Sequence, residues 1–111
     1  MKKVRSIGGY IHRLRVDRGL TLKNVADHLE IDISSLSKIE HGERQLQSHM
    51  IRPIAKLFDI DYKSIQILFL NYKIESEFGD EPYLIESLAK YIHGKENNRK
   101  GSKAENGKEA N

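Results

Sequence analysis

The stretch Leu20-Thr21-Leu22-Lys23-Asn24-Val25-Ala26-Asp27-His28-Leu29-Glu30-Ile31-Asp32-Ile33-Ser34-Ser35-Leu36-Ser37-Lys38-Ile39-Glu40-His41-Gly42 decides how this chain folds. Leu22, Val25, Ala26 and Leu29 recur at the spacing of one buried helix face, and Thr21 ahead of them is a good N-cap. Asn24 stands where a Glu or Gln would complete a full capping box. After a tight turn, Asp32 can cap a second short helix, with Ile33, Leu36 and Ile39 on its inner side. Ser34, Ser35, Ser37 and Lys38 lie outward or on its flanks, and Gly42 stops it. At about 1.5 Å per residue, roughly nine residues span about 13 Å, close to the width of the DNA major groove. Two short amphipathic helices joined this way, the second small, polar and basic on its outer face, are what a major-groove reader needs.

Outward from this stretch the helical spacing continues. Ile7, Ile11 and Leu14, with Tyr10 beside them, place a first helix over residues 7–18, closed by Gly19. Met50, Ile51, Ile54, Ala55, Leu57 and Phe58 supply a fourth helix with Ser48 as a candidate cap. Pro53 inside it would lose a backbone bond and clash with the preceding turn, so a kink or a start later than Ser48 is expected. Asp61 can cap a fifth helix over 62–74, apolar on two faces: Ile65, Leu68, Phe69 and Tyr72 on one, Ile67, Leu70 and Ile74 on the other. A helix this apolar must bury more than one side. Leu84, Ile85, Leu88, Ala89 and Ile92 keep helical spacing over 82–92, after a loop expected at 77–81. From Gly94 to Asn111 apolar periodicity stops, and the reading is a disordered tail. The expected organisation is thus 1–74 as the core domain, 75–93 as a helical extension and 94–111 as tail.

Charge is uneven along the chain. Residues 1–42 carry eight Lys and Arg against five Asp and Glu, whereas residues 75–93 carry one against five. A polyanion at the basic end would gain from counterion release, and the acidic segment should face away from phosphate. Cysteine is absent, which excludes disulfides, thiolate metal sites and a thiol nucleophile and suits a reducing cytoplasm. The basic start Met1-Lys2-Lys3-Val4-Arg5 leads into Ser6-Ile7-Gly8-Gly9 and charged residues, not the apolar run of a signal peptide, and no segment approaches membrane-spanning length.

Leu14-Arg15, Gly19-Leu20-Thr21, Val25-Ala26 and Leu36-Ser37-Lys38-Ile39-Glu40-His41-Gly42 followed by Arg44 together resemble the phage-repressor, Cro-like helix-turn-helix family, also called the xenobiotic-response-element family. The likeness covers residues 7 to about 70. It implies an all-α fold: a five-helix lambda-repressor-like DNA-binding domain, here with an additional C-terminal helix and the tail. It further implies a sequence-specific transcriptional regulator, typically a homodimeric repressor or autoregulator, with double-stranded DNA as partner. Carried over by position, the base-reading residues are Ser34, Ser35 and Lys38, and the phosphate-contacting ones Thr21, Lys23, Ser37, His41 and Arg44. Arg15 and Glu40 match the family's structural ion pair. Ile67, Leu70, Ile74, Leu84 and Leu88 are the expected dimerisation residues. The sequence also departs from the pattern: Leu22 and Ile33 replace two glutamines, and Glu30 replaces the turn glycine. Ile33 is expected to pack into the core, with contact to a thymine methyl as the other option.

Catalytic readings find little support. His12, His28, His41, His49 and His93 show no metal-ligand spacing, and Gly8-Gly9 lacks the flanking strand and lysine of a phosphate loop. No nucleophile, base and oxyanion arrangement is visible, so the chain is read as a non-enzyme without metal or cofactor. The alternative to a regulator is an antitoxin-like or other protein-interaction module that uses the helix-turn-helix as a scaffold, with a protein as its partner.

Overall fold

Four local caps start the helices of the core. Ser6 Oγ accepts from the Gly9 amide at 3.0 Å, Thr21 Oγ from Asn24 at 3.0 Å, Asp32 Oδ1 from Ser35 at 2.6 Å and Asp61 Oδ2 from Ser64 at 3.1 Å. Each satisfies an amide that the first helical turn leaves without a partner. In this computed structural model, which describes residues 6–105, they open α1 (Ile7–Asp17), α2 (Leu22–Leu29), α3 (Ile33–Glu40) and α5 (Tyr62–Phe78). Between them a 3₁₀ turn, Ser48–Met50, leads into α4 (Ile51–Phe58), and α6 follows at Leu84–Glu105. Among the described residues there is no strand. Asn24 completes the box at Thr21 despite its short side chain, its Oδ1 accepting from the Thr21 amide at 3.0 Å.

The core lies within residues 1–76, one of two compact units of the chain; the other, 77–111, holds α6. Ile11, Val25, Ala26, Leu36, Ile39, Ile51, Ile54, Phe58 and Ile65 are essentially excluded from solvent, with Phe69 closing the set from α5. α3 packs against both α1 and α2, so the middle helix is gripped from two sides. Leu22, expected in the buried stripe of α2, is only half-buried against this core.

Several expectations are corrected by the structure. Ile33 does not pack into the core: it is 45% exposed. It opens α3, ahead of Leu36, Ile39 and Glu40, which are the buried residues of that helix. The later start expected for α4 does hold: it begins at Ile51, so Pro53 falls in the first turn, where its missing amide proton costs no helical bond. α5 runs on to Phe78, past the expected end at Ile74 and into the expected loop. α6 likewise runs through Gly94 to Glu105, into the stretch read as a tail; residues 106–111 lie outside the described residues.

Four helices end in the same way, with one residue in the left-handed region. Gly19, Glu30, Gly42 and Asp59 have φ of 67°, 59°, 81° and 56°. After each, the chain closes a double hydrogen bond, as in Ile31 N to Ala26 O at 3.0 Å with Glu30 N to Asp27 O at 3.2 Å. This Schellman closure satisfies carbonyls the helix would otherwise leave open. Glycine adopts the conformation freely, but Glu30 and Asp59 hold it against the clash of their own Cβ. The turn before α3 therefore keeps the left-handed geometry without its glycine.

Candidate nucleic-acid interface

α3 presents one continuous outward arc. At about 100° per residue, Ile33 and Ser37 stand one turn apart along one edge, and Ser34 and Lys38 along the next line. Ile33, Ser34 and Lys38 are exposed and Ser37 is half-buried, whereas Leu36, Ile39 and Glu40 on the opposite side are buried. The outward face thus offers two hydroxyls, one ammonium and one branched apolar side chain.

Ser35 sits at the far margin of the arc and is half-buried. Its Oγ accepts from Arg44 Nη1 at 2.7 Å, which brings the loop arginine back across the start of α3. Asp32 completes the group. Its carboxyl is held below the usual 3.8, first by the Ser35 amide, then by the Ser35 hydroxyl, with smaller help from the charges of Arg44 and Lys38. The Ser35 hydroxyl is therefore engaged on both sides.

The remaining residues assigned to phosphate frame the same face with different freedom. Thr21 Oγ accepts from Asn24, but its proton stays available as a donor. Lys23 Nζ meets Asp27 Oδ2 at 2.9 Å in an exposed i, i+4 pair. Such a pair is worth about 0.3–0.5 kcal/mol and yields easily to a stronger anion. The Ser37 carbonyl accepts from His41 Nδ1 at 2.7 Å, so the imidazole caps the end of α3 and leaves Nε2 outward.

Behind the reading face, Arg15 and Glu40 meet. Arg15 donates from Nε to Glu40 Oε2 at 2.7 Å and from Nη2 to Oε1 at 3.0 Å, while Nη1 reaches the Leu20 carbonyl at 2.9 Å. The Glu40 side chain is only 3% exposed. His12 joins them, its Nδ1 2.8 Å from Glu40 Oε1, a third partner the sequence reading did not include. The signal was its place one turn before Arg15 on the same side of α1. Burial is the largest single influence on Glu40 and would raise its pKa, but the hydrogen bonds from Arg15 and His12 and their charges together outweigh it and lower the value.

A family profile for a helix-turn-helix domain matches residues 8–85. The chain belongs to the helix-turn-helix domain family. No curated protein and no solved structure matches it significantly. Its helix-turn-helix domain is that of a DNA-binding regulator, with α2 and α3 as the paired helices, and the all-helical architecture is lambda-repressor-like with one helix added at the C-terminal end. The dimerisation residues expected from sequence fall in different settings. Ile67 and Leu70 are 50% and 47% exposed on α5, and Ile74 is half-buried. Leu84 and Leu88 on α6 are half-buried. Among the described residues, no helix is long and apolar enough to cross a membrane, and no cluster of three metal-ligating side chains occurs.

Proposed function

We propose that this helix-turn-helix protein is a sequence-specific transcriptional regulator of the Cro-like, xenobiotic-response-element type, a repressor or autoregulator that binds its operator as a homodimer. The outward arc of α3 carries this reading: Ser34 and Lys38 stand free on it, while the helix behind them is fixed by buried side chains. A lysine there donates to guanine O6 or N7, and a serine serves donor or acceptor. Ser35, at the margin, reads alongside them or acts by seating Arg44. Arg44, Lys23, Thr21, Ser37 and His41 supply the phosphate contacts that fix register. The exposed Ile67 and Leu70 on one line of α5, together with Ile74, Leu84 and Leu88, support association with a second copy. In such a dimer two α3 helices about 34 Å apart meet successive major grooves of a roughly palindromic site.

The test is selection of duplexes from a random library with the purified full chain, followed by competition against shuffled duplexes. A regulator enriches a two-fold-related sequence and prefers it by about 10³ or more. Binding indifferent to sequence would overturn the proposal and favour the interaction module. The exposed Ile85 and Tyr91 of α6, with the exposed Tyr83 in the turn just before it, support that second reading, as a surface for a protein partner.

A further inference from the structure

Ile33 is the first residue of α3 and is 45% exposed, whereas Leu36 and Ile39 of the same helix are 0% and 1% exposed. It shares the outward arc with Ser34, Ser37 and Lys38, and the serines nearest to it are too short to cover it. A branched aliphatic side chain has no donor or acceptor, so it can read no base edge by hydrogen bonding. Branching at Cβ also makes it stiff at χ1, a fixed apolar knob. Within the major groove the four base pairs offer one apolar feature, the C5-methyl group of thymine.

We infer that Ile33 is a specificity-determining residue that selects a C5-methylated pyrimidine, thymine in ordinary DNA, at one position in each half-site. The inference rests on the DNA-reading function proposed above. Contact with the methyl group withdraws apolar surface of both partners from water, and neither group sacrifices a hydrogen bond to make it. The hydrophobic term depends on the methyl group and not on the pairing edge. A cytosine placed at that position therefore regains affinity when it carries a C5-methyl.

The experiment uses the duplex selected from the random library and replaces each thymine in turn with deoxyuridine, which removes the methyl and leaves the pairing unchanged. The wild-type protein should lose about fourfold in affinity at one position of each half-site, the worth of one methyl-sized group returned to water. Ile33→Ala should lose that penalty alone, and Ile33→Val should keep most of it. A cytosine pair at the same position should bind more tightly when 5-methylated, for wild type but not for Ile33→Ala. The inference is overturned if no deoxyuridine substitution weakens wild-type binding, as in an operator lacking thymine, or if Ile33→Ala shows the same penalty. Failure to enrich any duplex would instead overturn the regulator itself, and with it this role for Ile33.

Discussion

Gly8 of α1 lies so close to the carbonyl oxygen of Ile39 in α3 that a Cβ built on it would stand 1.8 Å from that oxygen and 2.8 Å from the carbonyl carbon. The obstacle is backbone, so no side chain can rotate away. The two helices touch main chain to main chain at this point, which is how α1 braces the helix proposed to enter DNA. Gly8→Ala should force them apart and destabilise the fold by about 3 kcal/mol or more, the upper end for an overpacked core. Gly94→Ala, in α6 with open space around it, should instead raise helicity, each read by circular dichroism and urea unfolding.

Arg15→Ala should cost about 3–5 kcal/mol, because Glu40 would keep its burial and lose its bidentate partner. Arg15→Met combined with Glu40→Leu should recover part of that loss in denaturant titrations. The pH dependence follows from the lowered carboxyl of Glu40. Since its folded-state pKa lies below the ordinary 4.5, the unfolded chain binds more protons as pH falls through that value. The stability Glu40 supplies is therefore complete above about pH 4.5 and is lost progressively as pH falls towards the folded-state pKa. The stability gap between wild type and Glu40→Gln should narrow across that acid window and stay constant above it.

Glu30→Gly and Asp59→Gly should each stabilise the protein, by about 0.5–1 kcal/mol, since each relieves a Cβ held in the left-handed region. The two sites close different helices, so their gains should add in the double variant. Glu30→Val should destabilise, because a β-branched residue fits that conformation worst.

Lys38→Ala should reduce discrimination between the selected duplex and altered sites by about 1–3 kcal/mol, the value of a good base contact. Arg44→Ala should weaken operator and shuffled DNA alike and lower the slope of log affinity against log salt by about one unit. Equal weakening of all duplexes by Lys38→Ala would move that lysine from the bases to the phosphates.

Ile67→Glu with Leu70→Lys places charge on the exposed line of α5 while leaving the buried Ile65 and Phe69 intact. Thermal stability of the isolated protomer should change little, whereas association measured by sedimentation should fall, and operator affinity with it.

Much of this architecture is legible in the sequence because its short helices carry clear local signals. Thr21, Asp32 and Asp61 are caps whose side chains act within three residues, and Val25, Ala26, Leu29, Leu36 and Ile39 repeat the helical period. What local spacing misjudges is depth at a helix's first turn. Ile33 keeps the period of the inner face, yet at 45% exposed it lies outside the cover that buries Leu36 and Ile39 of the same helix. The end of α5 at Phe78 is marked by Gly79 and Pro82 just beyond it, but apolar spacing stops at Ile74 and points to an earlier end; α6 runs on through Gly94 to Glu105 on a polar stretch with no apolar period to announce it. The Arg15–Glu40 contact comes from resemblance alone; nothing within either helix reveals a partner 25 residues away.

The grip on α3 from behind has a further consequence. Gly8 locks its backbone to α1, Glu40 ties its end to Arg15 and His12, and Leu36 and Ile39 fill the space between. A helix so anchored is a rigid template with little freedom to tilt towards an imperfect groove. Whatever mismatch in shape remains must be absorbed by the duplex, through its own twist and groove width. Sites that share every touched base pair would then still be ranked by the stiffness of base steps the protein never reaches.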